Sequence, residues 1–213
     1  IFTPERATKF GKIQEMIIHW PLLLLLVLFY ASHSLLADLK IKAKLRSIIP
    51  YSYYRIVYNL LSLGFVIGII STYANTAKVE LLAPAVLLTF FGWLLMLSGV
   101  ALSFLALSQY DGAEFIGTSY LNQAVETRAG LGGELNRSGV NAWVRHPIYT
   151  SILLMFWGWF LISPDTGVFH IALLTSIYIP IGIHYEEQKL LEEFGDVYRV
   201  YQQEVKKIIP GLW

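Results

Sequence analysis

The sequence predicts an all-α, polytopic membrane protein. Three observations carry that expectation. Hydrophobic residues make up 55% of the 213 positions and charged residues only 15%; several apolar runs are long enough to cross a bilayer; and the connections between those runs differ sharply in lysine and arginine content. A chain this apolar is not an ordinary soluble domain.

Taken in order, the apolar runs cover 17–37, 56–73, 84–107, 148–162 and 168–185, so about five transmembrane helices are expected. The first three reach the ~20 residues that a ~30 Å hydrocarbon core requires. The first run has no small-residue cleavage site behind it, so it reads as a retained span rather than a signal peptide; its Leu22–Leu26 stretch reads as lipid-facing. The last two runs are shorter and suggest a shallow helical hairpin turned by Ser163-Pro164-Asp165-Thr166-Gly167. Beyond it, Leu190, Leu191, Phe194, Val197, Val200, Tyr201 and Val205 recur at helical spacing, interrupted at Gly195. This predicts a C-terminal tail from Glu186 onward made of a pair of amphipathic helices.

Charge bias orients the bundle. The first connection carries Lys40, Lys42, Lys44, Arg46 and Arg55, the second only Lys78 and the fourth none, which places the first on the cytoplasmic side. Alternation then puts the long third connection (108–145) and the tail on that same face and the N-terminus outside, with Arg6, Lys9 and Lys12 pulling weakly the other way. The third connection holds Asp111, Glu114, Glu126, Arg128 and Glu134, a Gly130-Leu131-Gly132-Gly133 turn and Asn136-Arg137-Ser138-Gly139, and is too long for a plain link. The expected organisation is an N-terminal membrane region (1–107), the cytoplasmic connection (108–145), and a hairpin with its tail (146–213).

Composition also excludes chemistry. The chain has no cysteine, hence no disulfide, thiolate nucleophile or Cys-ligated metal. The histidines are scattered without ligand spacing, so no metal site is expected. A net charge of +1 with dispersed basic residues gives no stripe for nucleic acid. Oligomeric state has no signature.

One constellation stands out. Arg145-His146-Pro147-Ile148-Tyr149 opens the fourth run, and Glu186-Glu187 closes the fifth. Pro147 suits the first turn of a helix because its missing N–H would be an orphan there in any case. Beside that helix end a guanidinium and an imidazole offer an anion seat and a titratable group, and the carboxylate pair offers a cation seat. Two readings remain open at this point: a ligand site, or a structural Arg–Glu pair between helices with a snorkelling histidine. The polar residues Ser32, His33, Tyr54, Arg55 and Asn59, set in or near the first two runs, are costly in a membrane unless used or satisfied. His19, His170 and His184 fit interfacial or structural roles, and Trp157 and Trp159 fit packing or an interfacial belt.

The runs Arg145-His146-Pro147-Ile148-Tyr149-Thr150 and Tyr185-Glu186-Glu187-Gln188-Lys189-Leu190-Leu191, then Phe194-Gly195-Asp196-Val197-Tyr198-Arg199-Val200-Tyr201 and Ile209-Pro210, resemble the C-terminal half of the isoprenylcysteine carboxyl methyltransferase-like membrane proteins. Ser32-His33-Ser34-Leu35-Leu36-Ala37 and Tyr54-Arg55-Ile56-Val57-Tyr58-Asn59 are similar to the branch holding methanethiol S-methyltransferases and NnrU-like proteins. Ser151 departs from a glycine common in the family, which would narrow a pocket or replace a packing residue.

The resemblance implies S-adenosylmethionine as cofactor. Arg145 and His146 would meet its carboxylate or ribose, Glu186 or Glu187 its ammonium or ribose hydroxyls, and Tyr149, Tyr185, Tyr198 and Tyr201 its sulfonium. Ser32, His33, Tyr54, Arg55 and Asn59 would line the approach of a small-molecule or lipophilic acceptor from the bilayer, with His33 or His146 taking a thiol proton. The implied function is methyl transfer, with a thiol preferred as acceptor. The alternatives are a prenylcysteine carboxylate or lipid amine as acceptor, or a non-enzymatic NnrU-like protein of a respiratory system.

Overall fold

The computed structural model describes residues 19–45, 47–83, 85–121 and 135–213. The N-terminal basic residues Arg6, Lys9 and Lys12, Arg46 of the first connection, and Glu126, Arg128, Glu134 and the Gly130–Gly133 turn lie outside the described residues. The helices are α1 (Trp20–Ala37), α2 (Leu39–Leu45), α3 (Tyr51–Asn75), α4 (Val86–Leu107), α5 (Gly112–Ile116), α6 (Pro147–Ile162), α7 (Thr166–Phe194) and α8 (Asp196–Glu204), with short 3₁₀ turns at Thr118–Leu121 and Gly139–Ala142. The β-structure among the described residues is a single bridge between Glu80 and Asp165. Among the described residues four helices, α1, α3, α4 and α7, are long and apolar enough to cross a membrane; α6 is a shorter apolar helix. The fold is all-α and polytopic, as composition and run length predict.

The fifth apolar run is not a short span. Its helix extends unbroken from Thr166 to Phe194, about 43 Å at ~1.5 Å per residue, against about 24 Å for α6. The tail expected to begin at Glu186 is therefore the last turns of α7, and only α8 is a separate helix. The physical reason is plain: Glu186-Glu187-Gln188-Lys189-Leu190-Leu191 are strong helix formers, so the change to polar composition marks where apolar surroundings end, not where the helix does. The helix stops at Gly195, whose φ of 54° and ψ of −125° belong to a region that side chains disfavour. At its other end the Asp165 carboxylate caps α7 by accepting the Val168 N–H at 2.9 Å.

Neighbouring helices are joined by matched small residues and by buried polar bonds. α4 and α6 run antiparallel in the most extensive helix contact among the described residues. A Cβ on Gly92 would meet the Gly158 carbonyl at 2.8 Å, one on Gly99 the Ser151 carbonyl at 2.8 Å, and one on Gly158 the Met96 nitrogen at 2.7 Å. Small residues let backbones approach where the bilayer offers no hydrophobic driving force for association. Ser151 belongs to this seam: it is fully buried, accepts from the Ser103 hydroxyl at 2.7 Å and donates to the Ile148 carbonyl at 2.7 Å.

α1 lies antiparallel to α3, with Tyr54 donating to the Leu36 carbonyl at 2.7 Å, and parallel to α7, with Lys189 capping α1 through the Ala37 carbonyl. Leu22 and Leu26 are 0% and 2% exposed and pack on Ile171, contrary to the lipid-facing expectation for their run; Leu24 alone points clearly outward. Helical period divides that leucine run between core and lipid.

These pairings gather one end of the bundle: the end of α1, the start of α3, the end of α4, the start of α6 and the last turns of α7. The first and third connections and the C-terminus share that end. The opposite end holds Tyr73, which donates to Asp165 at 2.8 Å, and His19, bonded to Thr166 at 2.8 Å and set against His170 with ring centres 5.2 Å apart.

Candidate functional site

Arg145 and His146 stand immediately before α6, with His146 at its N-cap, and the C-terminal segment is fastened along them. Arg145 N–H donates to the Lys206 carbonyl at 2.8 Å, His146 N–H to Lys207 at 2.9 Å, and the Thr150 hydroxyl to Ile208 at 3.0 Å. Ile208 then plugs into a buried cluster with Ile179 and Ile183 of α7. The chain's end thus ties the start of α6 to α7, directly beneath the carboxylate pair.

The two glutamates part company. Arg145 donates Nε and Nη2 to one oxygen of Glu187 at 2.9 and 2.6 Å, and its Nη1 to the carbonyls of Gln202, at 3.1 Å, and Val205. His146 Nε2 and the Tyr198 hydroxyl reach the same Glu187 oxygen, each at 3.3 Å, and Lys207 Nζ lies 3.7 Å from the other. With side-chain exposures of 5% for Arg145, 3% for His146 and 9% for Glu187, this is a compensated, buried hub. Glu186 is 46% exposed and lies 3.7 Å from the far ring nitrogen of His146.

What Glu186 faces is a set of phenols. Its carboxylate lies within electrostatic reach of the Tyr149, Tyr58, Tyr110 and Tyr178 phenols. Tyr58 bonds the His33 ring at 2.8 Å. Gly182 lies on the same face of α7, one turn back, where a Cβ would come within 3.3 Å of the Tyr149 hydroxyl. Thr175, Tyr178, Gly182 and Glu186 follow each other at three- and four-residue steps, so one stripe of α7 lines this recess. Outside the spanning helices, burial and then the Glu187 charge push the Tyr198 phenol up, and burial pushes Tyr201 up to about 12, so both remain neutral hydrogen-bonding groups.

Among the sequence-predicted residues, the structure brings together Arg145, His146, Tyr149, Glu186, Glu187 and Tyr198, and places His33 beside them through Tyr58. Tyr201 lies just beyond, donating to the Asn141 carbonyl at 2.5 Å. Tyr185 is 53% exposed and edges onto His184. Of the polar residues of the first two runs, Ser32 donates to the Phe29 carbonyl of its own helix, Tyr54 to Leu36, and Asn59 to Ile116, while the Arg55 stem packs on Gly117. Sequence reasoning missed Tyr30, Ser34, Tyr58, Tyr178, Gly182 and Lys207. The helical spacing of Tyr178, Gly182 and Glu186 was the available signal. Among the described residues no three His, Asp or Glu side chains gather into a metal-holding group.

The chain is thus a polytopic helical membrane protein with a buried Arg145–His146–Glu187 hub at one end and, beside it, a Glu186 carboxylate that faces phenols. The family model described as NnrU protein matches residues 21–178, about three quarters of the chain, and the chain belongs to that family. It is 32% identical over 207 residues to a methanethiol S-methyltransferase of Pseudomonas deceptionensis, an alignment covering 91% of this chain and 75% of the relative. Shorter matches, each 44% identical over 69 residues and covering 32% of the chain, are to a methanethiol S-methyltransferase of Pseudomonas sp. (strain GM41(2012)) and to methanethiol S-methyltransferase 1 of Bradyrhizobium diazoefficiens; they span 25% and 23% of those relatives. No solved structure matches the chain significantly.

Proposed function

We propose that this protein is a membrane-embedded methyltransferase that uses S-adenosylmethionine and methylates a thiol, with the donor site on the cytoplasmic face and the N-terminus outside. The observation that carries the proposal is the contrast between the two glutamates: Glu187 is fully compensated, whereas Glu186 keeps a carboxylate turned toward aromatic rings. A carboxylate with phenols around it suits a ligand that carries ammonium and sulfonium charges, and the similarity to methanethiol S-methyltransferases supplies the reaction class.

When bound, the cofactor supplies an electrophilic methyl group on a cationic sulfur. Bound there, it would give up that methyl group to an acceptor sulfur and leave as a neutral thioether. The acceptor's thiol proton passes to His33, with His146 the alternative base. Attack by thiolate is faster than by thiol, so a base near the acceptor raises the rate. Tyr149 and Glu186 orient the donor end, and the remaining acceleration comes from alignment and exclusion of water. Tyr185 and Tyr201 would border the donor end at its rim. Ser32, Tyr54, Arg55 and Asn59 act on the acceptor side by fixing the ends of α1 and α3.

Arg145 acts on the same pocket as a positioning residue. Its guanidinium donors hold Glu187 and the backbone at Gln202 and Val205, which keeps the chain's end closed under the donor site.

The test is transfer of label from methyl-labelled S-adenosylmethionine by detergent-purified protein to methanethiol, prenylcysteine analogues and lipid amines. Volatile labelled thioether from the thiol alone is expected. Label in prenylcysteine or lipid instead redirects the acceptor; absence of cofactor binding at millimolar concentration sinks the enzyme and leaves a ligand-binding or respiratory partner role.

A further inference from the structure

The polar stripe of α7 stops abruptly. Past Thr175 the same face becomes Ile171, packed on Leu22 and Leu26 in a core cluster whose members are at most 4% exposed. At the boundary the rings of Tyr30 and Tyr178 stack, with centres 4.3 Å apart and planes 15° from parallel.

Each phenol is tied to the opposite helix. Tyr30 of α1 bonds Thr175 of α7 at 2.5 Å, and Tyr178 of α7 bonds Ser34 of α1 at 2.9 Å. The Thr175 hydroxyl proton is committed to the Ile171 carbonyl at 2.6 Å, so Tyr30 is the donor in the first bond. Polar groups at this depth have no water to fall back on, so the reciprocal pair holds the rings across the α1–α7 seam.

On the site side of this pair, the Tyr178 ring comes within 3.6 Å and the Tyr149 hydroxyl within 3.3 Å of where a Gly182 Cβ would stand, and the Glu186 carboxylate lies within electrostatic reach of Tyr149. From Tyr178 to Glu186 is eight residues, about 12 Å along the helix. Part of that length must hold the methyl donor.

We propose that the stacked Tyr30–Tyr178 pair is the floor of the acceptor site and restricts this protein to small thiols. The inference rests on the methyltransferase reading above and adds the size class of its acceptor. A long alkyl or prenyl tail directed along α7 would run into the stacked rings and, behind them, a core that Leu22, Leu26 and Ile171 already fill.

The experiment compares kcat/KM for methanethiol, butanethiol and octanethiol in the full-length protein in detergent, for wild type, Tyr30→Phe, Tyr30→Ala and Tyr178→Ala. The ratio between thiols is the readout, so a general loss of fold or donor affinity cancels. Wild type and Tyr30→Phe, which keeps the ring, should prefer methanethiol strongly. Either alanine variant should raise octanethiol relative to methanethiol by about tenfold or more, the scale on which hydrophobic pockets discriminate added methylenes. Where an alanine variant does not elute as a folded protein, Tyr30→Leu and Tyr178→Leu, which fill apolar volume without a ring, should shift the ratio the same way. Unchanged ratios in the ring-removing variants, or a wild type that accepts octanethiol as readily as methanethiol, overturn the floor while leaving methyl transfer intact. Failure of wild type to methylate any thiol instead overturns the methyltransferase reading beneath it.

Discussion

Glu186 and Glu187 are adjacent in the chain yet meet opposite surroundings, because consecutive positions on a helix point about 100° apart. Glu187 turns toward Arg145, His146 and Tyr198; Glu186 turns toward Tyr149. Their substitutions should separate stability from function. Glu187→Ala leaves the Arg145 guanidinium buried without its anion, and a thermal melt in detergent should show a loss of about 3–5 kcal/mol. Glu186→Gln removes a half-exposed charge and should melt like the wild type, while binding S-adenosylmethionine about 10- to 100-fold more weakly by calorimetry. Equal melting of both variants would refute the division. Ser151 is decided at the same scale: its hydroxyl is spent on Ser103 and Ile148 in the α4–α6 seam, so it packs helices and does not border the recess.

The helices themselves are held by two devices. The α4–α6 seam depends on absent side chains, and Gly158→Ala would push a methyl to 2.7 Å from the Met96 backbone nitrogen. Backbone cannot swing aside as a side chain can, so a stability loss of about 1–3 kcal/mol is expected. Gly64→Ala, with nothing within 4 Å, is the control and should be neutral or slightly stabilising. At the end of α7, Gly195→Ala forces a side chain into a left-handed turn at a cost of about 1–3 kcal/mol. Because α8 carries Tyr198 to the hub, that loss should come with weaker cofactor binding, measured in the same preparation.

At the scale of the molecule, the first connection and the C-terminal segment meet at one end of the bundle. The chain has no cysteine, so single cysteines report sidedness directly. In sealed vesicles, Lys44→Cys and Lys206→Cys should react with an impermeant reagent from the same side, and Ala77→Cys from the other. Labelling of Lys44→Cys and Lys206→Cys from opposite sides would contradict the arrangement of helices. The C-terminal segment also closes the bundle: removing residues 206–213 deletes the backbone partners of Arg145, His146 and Thr150 and the Ile208 plug. Such a truncation should insert in the membrane yet lose cofactor binding.

By itself the sequence determined the all-α membrane class, the order of the spans and the identity of the Arg145-His146 and Glu186-Glu187 pair, because hydropathy, charge bias and helix-starting proline are properties of contiguous residues. It misjudged where α7 ends, since a change of composition need not be a change of conformation. It also assigned the Leu22–Leu26 run wholly to lipid, since only a neighbouring helix reveals which side of a run is inward. Only the tertiary structure decided which glutamate joins the buried hub and which faces the phenols, that the C-terminal segment braces the start of α6, and that Tyr30 and Tyr178 meet. Those facts join residues about forty to a hundred and fifty positions apart, and such pairings are set by helix packing rather than by any local pattern.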